Sequence, residues 1–277
     1  MLAALILLVA TLLHAEPKRV VSTAPSFTET AFALGAGDRV VGVSTYCHYP
    51  PQVTKLPKVG TYLKPNIEAI VRLKPDLVLV HAEHQNEVRQ LQSLGIETLP
   101  LQNTSLDDTL VTIRQIGAKL VLTTKATALE TSLRRQLDTL RKQSANQPRK
   151  TILFVVGRTP GTLDGLIAVG RGSFLNELML VAGGRNVLDD SPVTYPRISL
   201  EGVLRLNPDV IVDMGDMAET VGVTEAHKQS VVALWTRNPA LKAVQQKRVF
   251  AVAADIFVVP GPRLTEAAQA FYEMMHR

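Results

Sequence analysis

The sequence predicts an α/β fold made of two lobes with mostly parallel sheets, joined by one long helix. Three observations carry the prediction. Short β-branched runs alternate with helical stretches in both halves of the 277-residue chain, as in parallel-sheet proteins. Between the halves the periodicity is helical only. Residues 66–80 are echoed by residues 199–213 without a gap, so both halves contain one unit in the same place. These place a first lobe at 16–103, a helical linker at 104–147 and a second lobe at 148–277.

In the first lobe, Val20–Ser22 and Val40–Val43 read as strands flanking a helix over 28–34. A helix over 67–73 ends at Lys74-Pro75, because a residue before proline is turned away from helical geometry. Asp76–Val80 is a strand, Val88–Leu94 a helix stopped by Gly95, and Ile96–Leu101 a strand. The linker holds helices over 106–120 and about 124–144. The second carries Leu129, Leu133, Leu137 and Leu140 on one face and no internal Gly or Pro. At roughly 20 residues it is about 30 Å long, enough to cross both lobes. Strands at 151–156, 209–212 and 248–252 and helices at 173–182 and 264–276 complete the second lobe.

Charged residues make up 20% of the chain and hydrophobic ones 46%, which places it among folded globular proteins. Met1–Leu13 is almost continuously apolar and then turns polar at His14, the pattern of a signal peptide ending at Ala15. A periplasmic location follows as an expectation, although the basic residues that usually open such a segment are missing. The single cysteine, Cys47, excludes an internal disulfide. The net charge of +5 is scattered and never interleaved with aromatics, so nucleic acid is not an expected partner.

The echo aligns Glu68 with Glu201, Arg72 with Arg205, Pro75 with Pro208 and Asp76 with Asp209. Each Glu follows an N-cap residue, Asn66 or Ser199, where the helix dipole favours a carboxylate by about 0.3–1 kcal/mol. Helix stabilisation and presentation of one exposed carboxylate per lobe to a two-fold partner both fit that position.

Enzyme motifs are lacking. Gly35-Ala36-Gly37 and Gly170-Arg171-Gly172 are only fragments of a dinucleotide loop, and no phosphate loop or nucleophile elbow occurs. The histidines show no metal-ligand spacing, which argues against a carrier of bare zinc or manganese. The expectation is a protein that is not an enzyme and has no cofactor or metal site of its own.

Ala24-Pro25-Ser26-Phe27-Thr28-Glu29, Tyr49-Pro50-Pro51, Lys74-Pro75-Asp76, Ser173-Phe174-Leu175-Asn176-Glu177, Gly183-Gly184 and Tyr195-Pro196 resemble the helical-backbone periplasmic substrate-binding proteins of ABC importers. The likeness runs in order through nearly the whole chain and is greatest toward the cobalamin-binding members. It implies two Rossmann-like lobes that close little on their ligand, a monomer, and a transmembrane permease dimer as partner. Glu68 and Glu201 fall where the family places its permease-docking carboxylates. The implied ligand is a bulky metal chelate, a cobalamin first, with haem or a ferric siderophore as the alternative. By the same resemblance Tyr49, Tyr62, His81, Tyr195 and Asp255 are ligand-binding. Tyr62, Tyr195 and His81 stand where cobalamin binders carry tryptophan, and Val258 and Val259 where they carry polar residues. For the haem alternative, Tyr46, Cys47, His48, Tyr49, His81 and His84 are the available iron ligands.

Overall fold

The computed structural model describes residues 16–215 and 222–276. The segment expected as a signal peptide, 1–15, lies outside the described residues. In the first lobe the order is β1 (Val20–Ser22), α1 (Pro25–Ala33), β2 (Val40–Val43), α2 (Ile67–Arg72), β3 (Leu77–His81), α3 (Gln85–Ser93) and β4 (Thr98–Leu101). Its sheet runs β2-β1-β3-β4 and every pairing is parallel. Helices α4 (Leu106–Lys119) and α5 (Thr123–Ala145) follow.

The second lobe contains β5 (Thr151–Gly157), β6 (Leu166–Ala168), α6 (Phe174–Val181), β7 (Arg185–Asn186), β8 (Arg197–Ile198), α7 (Leu200–Leu206), β9 (Val210–Asp213), α8 (Glu225–Thr236), α9 (Lys242–Gln245), β10 (Val249–Ala251) and α10 (Leu264–His276). Its sheet runs β10-β9-β5-β6-β8, with β7 beside β5. Strands β10, β9, β5 and β7 pair in parallel, while β6 pairs antiparallel with both β5 and β8.

The echo has a structural cause. Lys74 and Asn207, at equivalent positions, both take left-handed backbone (φ 48° and 43°) and end α2 and α7. The following Pro-Asp then enters a strand. Asp76 accepts from the Lys18 and Arg19 N–H groups at 2.7 and 2.9 Å, just before β1. Asp209 accepts from the N–H and hydroxyl of Thr151 at 2.8 Å each, where β5 begins. In each lobe the aspartate ties the helix exit to the first strand.

Helix α5 joins two separate cores. Its Ala126 and Leu133 pack with Phe27, Leu79 and Ile113 in the first lobe. Leu137 and Leu140, further along, pack with Phe154, Leu178 and Phe271 in the second. Helix α4 does the same in reverse, with Leu106 in the second core and Leu110, Ile113, Ile116 and Leu120 in the first.

Some boundaries differ from expectation. Helix α1 starts at Pro25 rather than Thr28, because proline's fixed φ suits a first helical position. Helix α3 starts at Gln85, three residues earlier than its apolar period, with the Val88 N–H bonded to the His84 carbonyl. The antiparallel strands β6 and β8 and helix α8 were not anticipated. Helix α8 buries only Val231 and Trp235, too few to show a period. The Trp235 indole N–H anchors it to Asp213 Oδ2 at 2.7 Å.

Candidate functional site

A cavity of about 630 Å³ opens between the lobes. Its first wall comes from segments that follow strands of the first sheet: Ala24–Ser26 after β1, Tyr46 and His48 after β2, Asn103 and Thr104 after β4. Ligands of parallel sheets gather at these carboxyl ends. Gly172–Phe174, Thr194, Tyr195, Asp255 and Val258–Pro260 form the opposite wall. Hydrogen bonds tie the two walls together: Phe174 N–H donates to the Thr104 carbonyl at 3.0 Å and, just beyond the cavity, Leu106 N–H donates to the Glu177 carboxylate at 2.7 Å.

Tyr62 and Leu63 sit on a tight loop. The Thr61 N–H donates to the Lys64 carbonyl at 3.1 Å, and Gly60 beside it has φ +97° with no room for a Cβ, which would lie 2.6 Å from that same carbonyl. The Tyr62 ring meets the His81 and His84 rings edge-on, at 5.5 and 6.2 Å between centroids. Tyr195 stands on the other lobe, and its phenol lies near enough to act electrostatically on that of Tyr62. Desolvation raises both phenols above their ordinary pKa; for Tyr62 the Glu83 carboxylate and Tyr195 add to it. Asp255 lines the cavity from a turn of 3-10 helix. The His48 Nδ1 lies 3.9 Å from its carboxylate, across the cleft.

The structure thus brings Tyr62, Tyr195 and Asp255 to one cavity. Tyr49 and His81 are not among the lining residues. The Tyr49 ring, next to the cis bond to Pro50, is covered by the Arg263 guanidinium at 4.0 Å. His81 is 2% exposed and lies behind Tyr62, with Nε2 at 3.0 Å from Asn103 Oδ1. Cys47 is buried against the Thr28 hydroxyl at 3.3 Å, and burial pushes its thiol up to about 11. Ser26, Leu63, Asn103, Thr104, Phe174 and Pro260 also line the cavity, and none of them is among the ligand-binding residues that the sequence suggests. The signal is weak: Ser26, Asn103 and Thr104 follow strand ends and Phe174 opens a helix, which is where a parallel sheet places its site, while Leu63 and Pro260 sit in loops with no such mark.

None of the described lining residues is Lys or Arg. Among the described residues, no group of three or more His, Cys, Asp or Glu side chains converges. A second groove of about 660 Å³ runs along α4, α5 and α6, where Arg141 pairs with Asp138 at 2.8 Å and Arg134 with Asp107 at 3.3 Å.

Glu68 and Glu201 occupy the second helical position of α2 and α7, both exposed. Neither makes an ion pair among the described residues. Each helix also exposes an aliphatic side chain three residues on, Val71 or Leu204, and an arginine four on, Arg72 or Arg205. The two lobes therefore present one chemical face twice. Its own backbone N–H and the Ser199 hydroxyl hold the Glu201 carboxyl below its ordinary pKa.

Residues 20–256 match the model of a family described as periplasmic binding protein. A vitamin B12-binding protein of Salmonella choleraesuis (strain SC-B67) is 35% identical over 228 residues, 81% of this chain and 82% of the relative. An uncharacterized ABC transporter substrate-binding lipoprotein, YvrC of Bacillus subtilis (strain 168), is 30% identical over 269 residues, 94% of this chain and 81% of the relative. Among solved structures, the periplasmic heme-binding protein RhuT from Roseiflexus sp. RS-1 superposes with a TM-score of 0.77 at 27% identity, covering 93% of this chain and 98% of that one.

Proposed function

The chain belongs to the periplasmic binding protein family, and on that premise we propose that it captures a corrinoid between its lobes and hands it to an ABC import permease. One observation carries the choice of ligand: the cavity has aromatic rings on both lobes, Tyr62 and Tyr195, a single carboxylate, and no Lys or Arg among its described lining residues. Haem brings two propionates and ferric siderophores are commonly anionic, so either would bury negative charge beside Asp255 with no Lys or Arg on the described lining to offset it, at high cost. A cobalamin is a macrocycle fringed with amide arms. It offers flat apolar surface to the rings and neutral donors and acceptors to the polar groups. Desolvation that raises the Tyr62 and Tyr195 phenols also disfavours the phenolate that would hold a ferric iron.

The rest of the role follows from the family. A carrier needs binding and release rather than bond-making chemistry, so the protein is not an enzyme and keeps no cofactor of its own. The repeated face of α2 and α7, headed by Glu68 and Glu201, suits the two-fold surface of a permease dimer, which a monomeric carrier would approach with one lobe over each half. Export to the periplasm is the reading for residues 1–15.

A thermal-shift panel of cyanocobalamin, cobinamide, haemin and ferric siderophores tests the ligand. Corrinoids should give the largest rise in Tm. Stabilisation by haemin or a siderophore, with none by corrinoids, sinks the reading.

A further inference from the structure

Behind the Tyr62 ring a chain of polar groups runs toward the cleft, and one backbone amide sets its direction. The Glu83 N–H donates to His81 Nδ1 at 3.4 Å. A backbone N–H can only donate, so Nδ1 accepts and the imidazole proton sits on Nε2. That nitrogen lies 3.0 Å from Asn103 Oδ1, and the amide oxygen therefore faces the imidazole. The Asn103 Nδ2 is turned to Ser26, 2.6 Å from Oγ. Ser26 Oγ accepts this bond, which leaves its own proton with no acceptor among the described residues.

Ser26 is 2% exposed and Asn103 8%, and both line the cleft. A buried hydroxyl with a fixed, unused proton is a directional donor, and leaving it unmatched is costly. We propose that Ser26 donates a hydrogen bond to the carbonyl oxygen of a ligand carboxamide, and that His81 is a positioning residue that fixes this direction through Asn103. The proposal rests on the corrinoid reading of the cleft. A neutral carbonyl suits the place because the lining already holds the Asp255 carboxylate and no Lys or Arg among its described residues would offset an anionic acceptor.

Isothermal titration of cyanocobalamin against wild type, Ser26→Ala, His81→Leu, His81→Gln and the Ser26→Ala/His81→Leu pair tests it. Loss of one neutral hydrogen bond to the ligand should raise Kd about 3- to 10-fold in Ser26→Ala, with a lower Tm for the free protein as well, because the Asn103 amide loses its acceptor. His81→Gln, whose amide can still donate to Asn103, should bind close to wild type. If His81 acts through Ser26, the double variant binds no more weakly than the weaker of the two single variants. Ser26→Ala binding as tightly as wild type overturns the donor, and this holds even if His81→Leu does not fold. Additive losses overturn the relay. Tyr195→Ala separates the two levels: if it weakens binding and Ser26→Ala does not, the cleft stands and the donor assignment falls. No binding of cyanocobalamin by wild type removes the corrinoid reading and this assignment with it.

Discussion

Glu29 of the first lobe and Arg263 of the second form a two-pronged ion pair across the domain boundary, Nε to Oε2 at 2.9 Å and Nη2 to Oε1 at 2.5 Å. Glu29 is 4% exposed, and the far side of the same guanidinium covers the Tyr49 ring. The contact fastens α1 to the segment that opens α10.

Removing one partner leaves the other charge stranded. Arg263→Ala should therefore destabilise the fold by about 2–4 kcal/mol, read as a lower denaturant midpoint with the slope unchanged.

Glu29→Gln should behave differently. Burial raises the Glu29 pKa, and Arg263 only partly opposes it. The folded state therefore holds this proton more tightly than the unfolded chain. Its contribution to stability is full below the unfolded pKa and is lost as pH rises through the raised one. Denaturation of wild type and Glu29→Gln between acid and neutral pH should show wild type losing ground to the variant as pH rises. A gap that widens in favour of wild type would contradict the assignment.

Tyr62→Ala and Tyr195→Ala should each weaken corrinoid binding by about 1–3 kcal/mol, roughly 5- to 150-fold. Tyr49→Ala should change it far less, since Arg263 already occupies that ring face. Calorimetric titration of the three variants decides, and an effect confined to Tyr49 would move the site.

Reversing charge at Glu68 or Glu201 tests docking. Each variant, Glu68→Arg and Glu201→Arg, should slow association with the permease and leave ligand affinity intact, because interface charges govern orientation and on-rate. Unchanged transporter binding with lost ligand binding would refute the assignment.

Cys47 should be inert. With the thiol buried and pushed up to about 11, a thiol reagent at mildly alkaline pH should label it only after unfolding. Rapid labelling of the native protein would show that the first-lobe core around Cys47 opens.

Lobe closure on ligand should be small, with nearly superposable scattering profiles. Leu133 and Leu137 are one turn apart on α5 yet belong to different cores, so hinging there would pull side chains out of both.

The sequence alone determined the two lobes, the long helix and the repeated unit. Each rests on local rules: β-branched runs, a leucine stripe, and a Pro-Asp exit from a helix. It also placed Glu68 and Glu201 on matching helical turns, because a gapless echo fixes register. Tertiary structure decided the rest. The antiparallel strands β6 and β8 have three and two residues and exist only because β5 offers an edge. Helix α8 depends on a partner, Asp213, that no local pattern reveals. The cleft was decided in the same way. Tyr49, Tyr62 and Tyr195 look alike along the chain, but Arg263, 214 positions from Tyr49 in sequence, covers one ring and leaves the other two on the cavity wall. His81 lies buried behind Tyr62, against Asn103, for the same reason: which side chain reaches a cavity depends on what packs around it, and those contacts come from distant segments.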